Sequence, residues 1–321
     1  MSSFNKSRGV TMLAACLVAA SACGGSARPT PTPTPGQSSI PPLPTSASPI
    51  AASASPSSSP RPGRLVLAFA CGRFICRSRP DGAGRQALTA GREADDSDPA
   101  WSPDGSQIVF ARSAPGGSDL YIVGADGKGL RQLSTGPSAD TQPEWSPDGK
   151  RVSFTTDRGG NLEVEVMGVD GGEPVNLSQN PAKDFGPTWS PDGTRIAYTS
   201  TRDGKPEVYV AQADGSKTTR LTISEGSSAP TWSPEGLRVV LVAVGIGLAL
   251  VDLRAGSVQP ITTDSSDGHP RWSPAGDLIA FQRGKTSRTA IYTVRPDGKQ
   301  IRQVARGPDA DRAPSWGLIP V

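Results

Sequence analysis

Residues 143–149 read Pro-Glu-Trp-Ser-Pro-Asp-Gly, and related sequences surround every other tryptophan of the chain. The six tryptophans are spaced 44, 44, 43, 40 and 44 residues apart. The phrase Pro-x-Trp-Ser-Pro-Asp-Gly is unchanged around the first three and ends in Glu-Gly and Ala-Gly around the fourth and fifth. A repeat of about 40 to 45 residues predicts an array of similar structural units. The tryptophans are Trp101, Trp145, Trp189, Trp232, Trp272 and Trp316.

Apolar residues follow the tryptophans at fixed distances. Ile108 and Phe110 stand seven and nine residues after Trp101, and equivalent residues follow the next four tryptophans. β-Branched and aromatic residues two positions apart predict a strand with one buried face. A second apolar run around Tyr121 and a short run at 131–133 predict two further strands. With the tryptophan segment, each repeat therefore contains four predicted strands.

The connections between these strands carry turn signals. In Ser-Pro-Asp-Gly, proline presets φ, aspartate bonds its own backbone, and glycine adopts the left-handed conformation. An Asp-Gly pair such as Asp126-Gly127 recurs between the third and fourth strands and is typical of a hairpin. Antiparallel units of four strands that repeat in this way predict a β-propeller.

The two ends of the repeat array complement each other. Residues 65–89 supply three predicted strands without a tryptophan strand, whereas 313–321 supply a tryptophan strand with nothing after it. The predicted fold is therefore an all-β, six-bladed propeller of four-stranded antiparallel blades at 64–321, closed by a C-terminal strand. Closure of the ring removes exposed sheet edges.

The repeated phrase resembles the TolB-like β-propeller repeat family, and the resemblance covers Arg64 to Val321. Blades of this kind occur in periplasmic scaffold proteins, in the non-catalytic half of prolyl-oligopeptidase-type enzymes, and in some lyases. The resemblance thus implies the fold and leaves the function to be argued from the site.

Residues 1–22 resemble the export signal of bacterial lipoproteins, with a basic start and an apolar run from Val10 to Ala20. Cys23 follows small residues and is the predicted lipid attachment site. Cys16 is the competing site, but it would leave a much shorter apolar core. The alternative is a plain secretory signal. A multiply acylated cysteine would anchor the chain stably on the extracytoplasmic side of a membrane.

Residues 23–63 consist mainly of proline, serine, threonine and alanine. Such a composition buries too little apolar surface to fold and predicts a disordered linker. About 40 residues span ~35 Å as a flexible coil. We therefore expect a spacer between a membrane and the propeller.

Charge and residue types restrict the function. The formal charge of +3 falls to about +1 without Lys6 and Arg8, so no nucleic-acid partner is expected. His269 is the only histidine, and no Gly-x-Ser-x-Gly or His-Glu-x-x-His motif occurs. We expect neither a metal, a cofactor nor catalysis. The alternative is a hydrolase or lyase that uses paired carboxylates in the channel.

Cys71 and Cys76 lie on consecutive predicted strands of the first repeat. In an exported protein, an isolated pair at hairpin spacing predicts a disulfide, and the alternative is a redox-active pair. Gly245-Ile246-Gly247 lies between two apolar strands and is interpreted as a hairpin turn rather than a nucleotide loop.

An acidic residue stands five positions before five of the six tryptophans, with Ser227 in the remaining repeat. If the tryptophan strand is innermost, these carboxylates would surround the channel mouth and could bind a cation or a basic peptide. The alternative is that each one caps its own turn. His269 breaks the symmetry and is a candidate for specificity. The predicted acidic residues are Asp96, Asp140, Asp184, Asp267 and Asp311.

The loops that join the second and third strands differ between repeats and lie on the same side as these acids. Variable charged loops on a rigid scaffold are common binding sites, although they could be ordinary solvated loops. We expect a monomeric, lipid-anchored scaffold that binds an envelope protein, peptide or glycan, or alternatively an envelope sensor or assembly factor. The predicted basic rim consists of Arg158, Arg202, Arg283, Lys285 and Arg288.

Overall fold

The computed structural model describes residues 63–90, 94–222, 226–284, 288–307 and 310–320. Within these ranges the chain forms 24 strands, arranged as six four-stranded antiparallel sheets. The export signal, Cys23 and the linker up to residue 62 lie outside the described residues. None of the described residues forms a helix long and apolar enough to cross a membrane. The all-β prediction is confirmed.

The strands follow the order predicted from the repeats. Blade one contains β1 (Gly63–Cys71), β2 (Phe74–Ser78) and β3 (Gln86–Ala87), and blade two contains β4 (Asp95–Trp101), β5 (Gln107–Ala114), β6 (Gly117–Gly124) and β7 (Arg131–Gln132). Blade three contains β8 (Thr141–Trp145), β9 (Arg151–Thr156), β10 (Glu163–Gly168) and β11 (Val175–Asn176), and blade four contains β12 (Asp184–Trp189), β13 (Arg195–Ser200), β14 (Glu207–Gln212) and β15 (Thr219–Arg220). Blade five contains β16 (Ser227–Trp232), β17 (Arg238–Ala243), β18 (Gly247–Asp252) and β19 (Ser257–Pro260), and blade six contains β20 (Gly268–Trp272), β21 (Ile279–Arg283), β22 (Ala290–Val294) and β23 (Arg302–Ala305).

The last strand, β24 (Asp311–Pro320), returns to blade one, where the strand order is β24-β1-β2-β3. Gly63 of β1 lies opposite Pro320, and Cys71 at its other end lies opposite Asp311. Six blades closed by a C-terminal strand are therefore confirmed. Both strands begin earlier than predicted. Their pairing starts at Gly63 in β1, before the predicted Leu65, and at Asp311 in β24, before the predicted Ala313.

Each blade interface buries one tryptophan. Trp145 of blade three packs with Val109 and Leu120 of blade two, and the other five interfaces have equivalent clusters. The Trp145 indole N–H also donates to the carbonyl of Ala100 in blade two, at 3.2 Å. Trp316 makes the same bond from blade one to Arg271 of blade six, at 3.0 Å. The tryptophans thus join neighbouring sheets.

The connections define two faces of the ring. The turn face carries the Ser-Pro-Asp-Gly turns and the hairpins between the third and fourth strands of each blade. In one such turn, Ser146 Oγ donates to Asp148 Oδ1 at 2.6 Å, and Gly149 has a φ of 70°. The variable-loop face carries the loops between the second and third strands. β1 begins and β24 ends on the turn face, so Gly63 and Pro320 lie there.

Two local predictions are confirmed in the hairpins. Cys71 and Cys76 form a disulfide that joins β1 to β2, with their Cα atoms 5.8 Å apart. Residues 244–246 form the turn between β17 and β18, where the Ile246 N–H donates to the Ala243 carbonyl.

Substitution of Trp316 by alanine tests the closure of the ring. Trp316 is 7% exposed and lies between blades one and six. We expect Trp316→Ala to lower the free energy of unfolding by about 3 to 5 kcal/mol, because it removes a large buried ring. Urea unfolding measures this loss. Val258→Ala, at a site that is 47% exposed, is the control and should change stability by less than about 0.5 kcal/mol. Equal effects of both variants would contradict the assigned closure.

Candidate functional site

A β-bulge interrupts the innermost strand of every blade shortly before its tryptophan. The residue three positions before the tryptophan has a positive φ in all six blades, for example 50° at Asp98 and 49° at His269. A bulge changes the direction in which a strand presents its side chains. Here it places one residue of each blade at the central channel. We call these six residues the channel ring: Asp98, Gln142, Gly186, Ala229, His269 and Ala313.

The channel ring surrounds a small cavity. Its volume is 40 Å³, which is room for about three or four water molecules at about 10 to 15 Å³ each. Prolines that follow the ring residues, such as Pro187 and Pro270, form much of the wall. Arg271 also lines the cavity. A partner could therefore insert a polar group of a few atoms into the cavity.

An ion pair crosses the channel next to this cavity. Glu144 Oε2 and Arg271 Nη2 are 3.0 Å apart, and both residues stand immediately before a tryptophan. Contacts between innermost strands run in the ring order β4, β8, β12, β16, β20 and β24. Strands β8 and β20, which hold Glu144 and Arg271, are thus three steps apart and lie on opposite sides. By strand direction, the channel ring is on the variable-loop side of this pair.

Burial shifts the pKa values of the channel groups. Desolvation lowers the pKa of His269 below its ordinary value of 6.5, and Arg271 and Arg312 act in the same direction. The charge of Asp98 opposes this shift. Desolvation also raises the pKa of Glu144, against the effect of Arg271. The neutral imidazole of His269 can therefore act as both donor and acceptor at neutral pH.

The five predicted aspartates lie at the variable-loop end of the innermost strands, and their carboxylates are buried. Each one binds an arginine of its own blade. Asp96 and Asp267 form two bonds each, of 2.6 to 2.9 Å, with Arg112 and Arg283. Asp311 forms two similar bonds with Arg85. The remaining pairs are Asp140 with Arg158, at 2.7 Å, and Asp184 with Arg202, at 3.3 Å.

Each of these arginines also lies over an aromatic ring of the second strand. The Arg283 guanidinium carbon is 5.3 Å from the centroid of Phe281, and the other four distances are 5.1 to 5.7 Å. Blade five lacks all three groups: Ser227 and Leu241 replace the aspartate and the aromatic residue, and Ala243 stands where blades two and six have the arginine. The joint replacement indicates that the three side chains form one structural unit. The aspartates thus pair with arginines inside their blades, a contact that neither the predicted acidic ring nor the alternative of turn capping included.

The predicted basic rim has two kinds of members in the structure. Arg158, Arg202 and Arg283 turn inward to the aspartates, so their charges are balanced within their blades. Arg288 is exposed on the variable-loop face. Lys285 lies outside the described residues. Among the described residues, no three His, Cys, Asp or Glu side chains lie close enough to hold a metal ion.

Sequence reasoning found His269 but missed its neighbours in the channel. Asp98, Gln142, Glu144 and Arg271 are the residues it overlooked. The signal was present in the repeated phrase, because the positions on either side of its proline vary while the proline and tryptophan stay constant.

Comparison with known proteins identifies the family. The model of the TolB beta propeller domain matches residues 82–178 and 159–319. The chain belongs to this family. Together the two matches span most of the propeller and support the recognition made from the repeated phrase.

Solved structures share the fold at low sequence identity. TolB from Acinetobacter baumannii is 21% identical, with a TM-score of 0.71 over 81% of this chain and 68% of that chain. A chain of a nidogen/laminin complex is 12% identical, with a TM-score of 0.68 over 79% and 98%. Kuenenia stuttgartiensis hydrazine synthase is 16% identical, with a TM-score of 0.67 over 81% and 47%. At these identities the likeness shows the fold alone.

The Asp267–Arg283 pair can be tested by copying blade five. Arg283→Ala leaves a buried carboxylate without its main partner, so we expect a loss of about 3 to 5 kcal/mol. The double variant Asp267→Ser, Arg283→Ala reproduces Ser227 and Ala243 and should regain at least about half of that loss, because the unpaired charge is gone. Urea unfolding at pH 7 compares the two. A double variant less stable than Arg283→Ala would contradict the structural role.

The titration of His269 tests the environment of the channel. Its folded-state pKa is lowered, so the stability that depends on neutral His269 is present above pH 6.5 and is lost as pH falls through the lowered pKa. An NMR titration of the only histidine should give a pKa below 6.5. His269→Asn keeps a residue type that tolerates positive φ and should weaken this loss of stability on acidification. A measured pKa of 6.5 or higher would contradict the burial of the imidazole.

Proposed function

We propose that this chain is a non-catalytic extracytoplasmic scaffold, anchored by a lipid at Cys23, that binds an envelope protein or peptide on its variable-loop face. Membership of the TolB beta propeller domain family supports a binding role in the cell envelope. The arrangement of constant and variable positions in the blades carries the proposal. The blades share their backbone, their tryptophans and their bulges, whereas the channel ring differs from blade to blade.

The channel ring supplies the recognition groups in this proposal. Asp98 and His269 are its ionisable members, and Gln142 adds an amide. All three stand on a backbone that the bulge and the following proline hold in place. A partner group that enters the cavity would therefore meet donors and acceptors in fixed positions, which reduces the entropy cost of binding. The five buried Asp–Arg pairs keep the surrounding loops in place and do not contact the partner.

Capture of envelope proteins tests the proposal. Residues 24–321 include all 24 strands and serve as bait in cross-linked envelope extracts, with capture quantified for each variant. The channel variant carries Asp98→Asn and His269→Asn, and we expect its capture to fall by roughly tenfold or more, as for a central interface residue. Arg254→Ser, at an exposed site on the turn face, is the matched control and should capture normally.

The same experiment distinguishes the alternatives. Equal capture by the channel variant and by the control would move the binding site away from the channel ring. An Arg288→Ser variant then tests the outer loops of the same face. Mass spectrometry of the protein isolated from membranes tests the anchor separately, because a lipid on Cys23 changes the mass of its N-terminal peptide. An unmodified N-terminal peptide that begins after residue 23 would contradict the anchoring.

A further inference from the structure

A basic cleft opens on the turn face of blade one. It has a volume of 450 Å³, which is within the range of ligand sites. Three arginines line it, namely Arg64, Arg77 and Arg79, and no acidic residue does. Val66 and Ile319 give it an apolar part. The cleft therefore combines a concentrated positive charge with a small apolar surface.

The three arginines differ in how they are held. The Arg77 guanidinium donates to the Ala125 carbonyl at 2.7 Å and to Gln86 Oε1 at 3.0 Å, so its position is fixed. Among the described residues, Arg64 and Arg79 form no ion pair, and both are exposed. Asp81 lies in the same hairpin, but its carboxylate accepts a bond from the Ala83 N–H and does not line the cleft. The positive charge of the cleft is thus not balanced by its own walls.

A second cleft on the turn face, between blades five and six, has a different balance of charge. That cleft has a volume of 340 Å³ and is lined by Arg238 and Arg295. Asp277 and Asp297 also line it, so two arginines face two carboxylates. These two acids belong to turns of blade six, whereas the basic cleft is lined by residues of blade one alone, none of them acidic. The guanidinium groups of the basic cleft can therefore be balanced by an external anion.

The position of the cleft indicates where that anion comes from. Arg64 directly follows Gly63, so the chain enters the propeller at the edge of the cleft. The 62 preceding residues contain the predicted lipid attachment site. If the chain is anchored there, the cleft lies beside the point where the linker joins the propeller, so the linker keeps it within reach of the membrane. Anionic lipid headgroups are the phosphates concentrated on such a surface.

We propose that Arg64, Arg77 and Arg79 form a site for the phosphate of an anionic lipid headgroup. Planar guanidinium groups bind phosphate oxygens through paired N–H donors, which suits this ligand class. Ile319, which is partly exposed, contacts the apolar part of the lipid next to the headgroup. The site rests on the proposed membrane anchoring, but its affinity for phosphate lipids is a property of the propeller alone.

Vesicle binding by residues 24–321 tests the site without the anchor, because this chain lacks Cys23 and carries no lipid. The vesicles contain phosphatidylglycerol and phosphatidylcholine, or phosphatidylcholine alone. We expect cosedimentation only with the anionic vesicles, and a decrease as salt rises. Each arginine-to-glutamine substitution should weaken binding about fivefold, and the triple variant about a hundredfold.

A matched control comes from the cleft between blades five and six. Arg295→Gln removes the same charge from the turn face and should bind anionic vesicles nearly as well as the unchanged protein. Equal losses for Arg79→Gln and Arg295→Gln would overturn the site, because they would show attraction by net charge only. Thermal unfolding of each variant confirms that it is folded.

Inorganic phosphate distinguishes the two sources of the anion. Calorimetric titration with phosphate measures its affinity, and vesicle binding in its presence measures competition. Competition at millimolar phosphate, together with vesicle binding, supports the site. Phosphate binding without vesicle binding would overturn the lipid as ligand. Vesicle binding that persists while Cys23 proves unmodified in cells would leave this site intact and contradict only the anchor.

Discussion

The burial of one tryptophan between each pair of neighbouring blades is the interaction on which the ring depends. Each indole is 5 to 7% exposed, and at two interfaces its N–H reaches a backbone carbonyl of the preceding blade. Because the contact recurs at every interface, the spacing of the innermost strands is fixed, and changes in length are confined to the periphery. The interval of 40 residues before Trp272 illustrates this, since blade five shortens the hairpin at 244–246 and keeps its tryptophan in place.

Fixed innermost strands also determine the channel. Five of the six channel-ring residues are not glycine and yet have φ values of 49° to 52°, a conformation that costs energy for most side chains. The bulge, the following proline and the buried tryptophan together impose it. The ring side chains are therefore presented by a rigid backbone. The Glu144–Arg271 pair adds a connection between opposite blades, across a channel that sheet pairing cannot bridge.

The sequence predicted the blades because their signals are local, and it predicted closure because the two ends of the array complement each other. It predicted His269 as a channel residue because His269 stands at a fixed position of the repeat, three residues before Trp272. Strict strand alternation, however, places positions five, three and one before the tryptophan on one face. The bulge inserts an extra residue and reverses that alternation, so Asp96 is buried while Asp98 reaches the channel. The arginine partners were also hidden, because they lie 16, 18 or 226 residues from their aspartates.

The two proposed contacts lie on opposite faces of one rigid ring, which gives the basic cleft a role that a linker lacks. The predicted linker of about 40 residues would span ~35 Å as a coil and limit distance, but it would leave the orientation of the propeller undetermined. Binding of headgroups by Arg64, Arg77 and Arg79 would fix the turn face against the membrane. Because a closed ring transmits that orientation without bending, His269 and the channel ring would then point away from the surface, toward partners in the envelope.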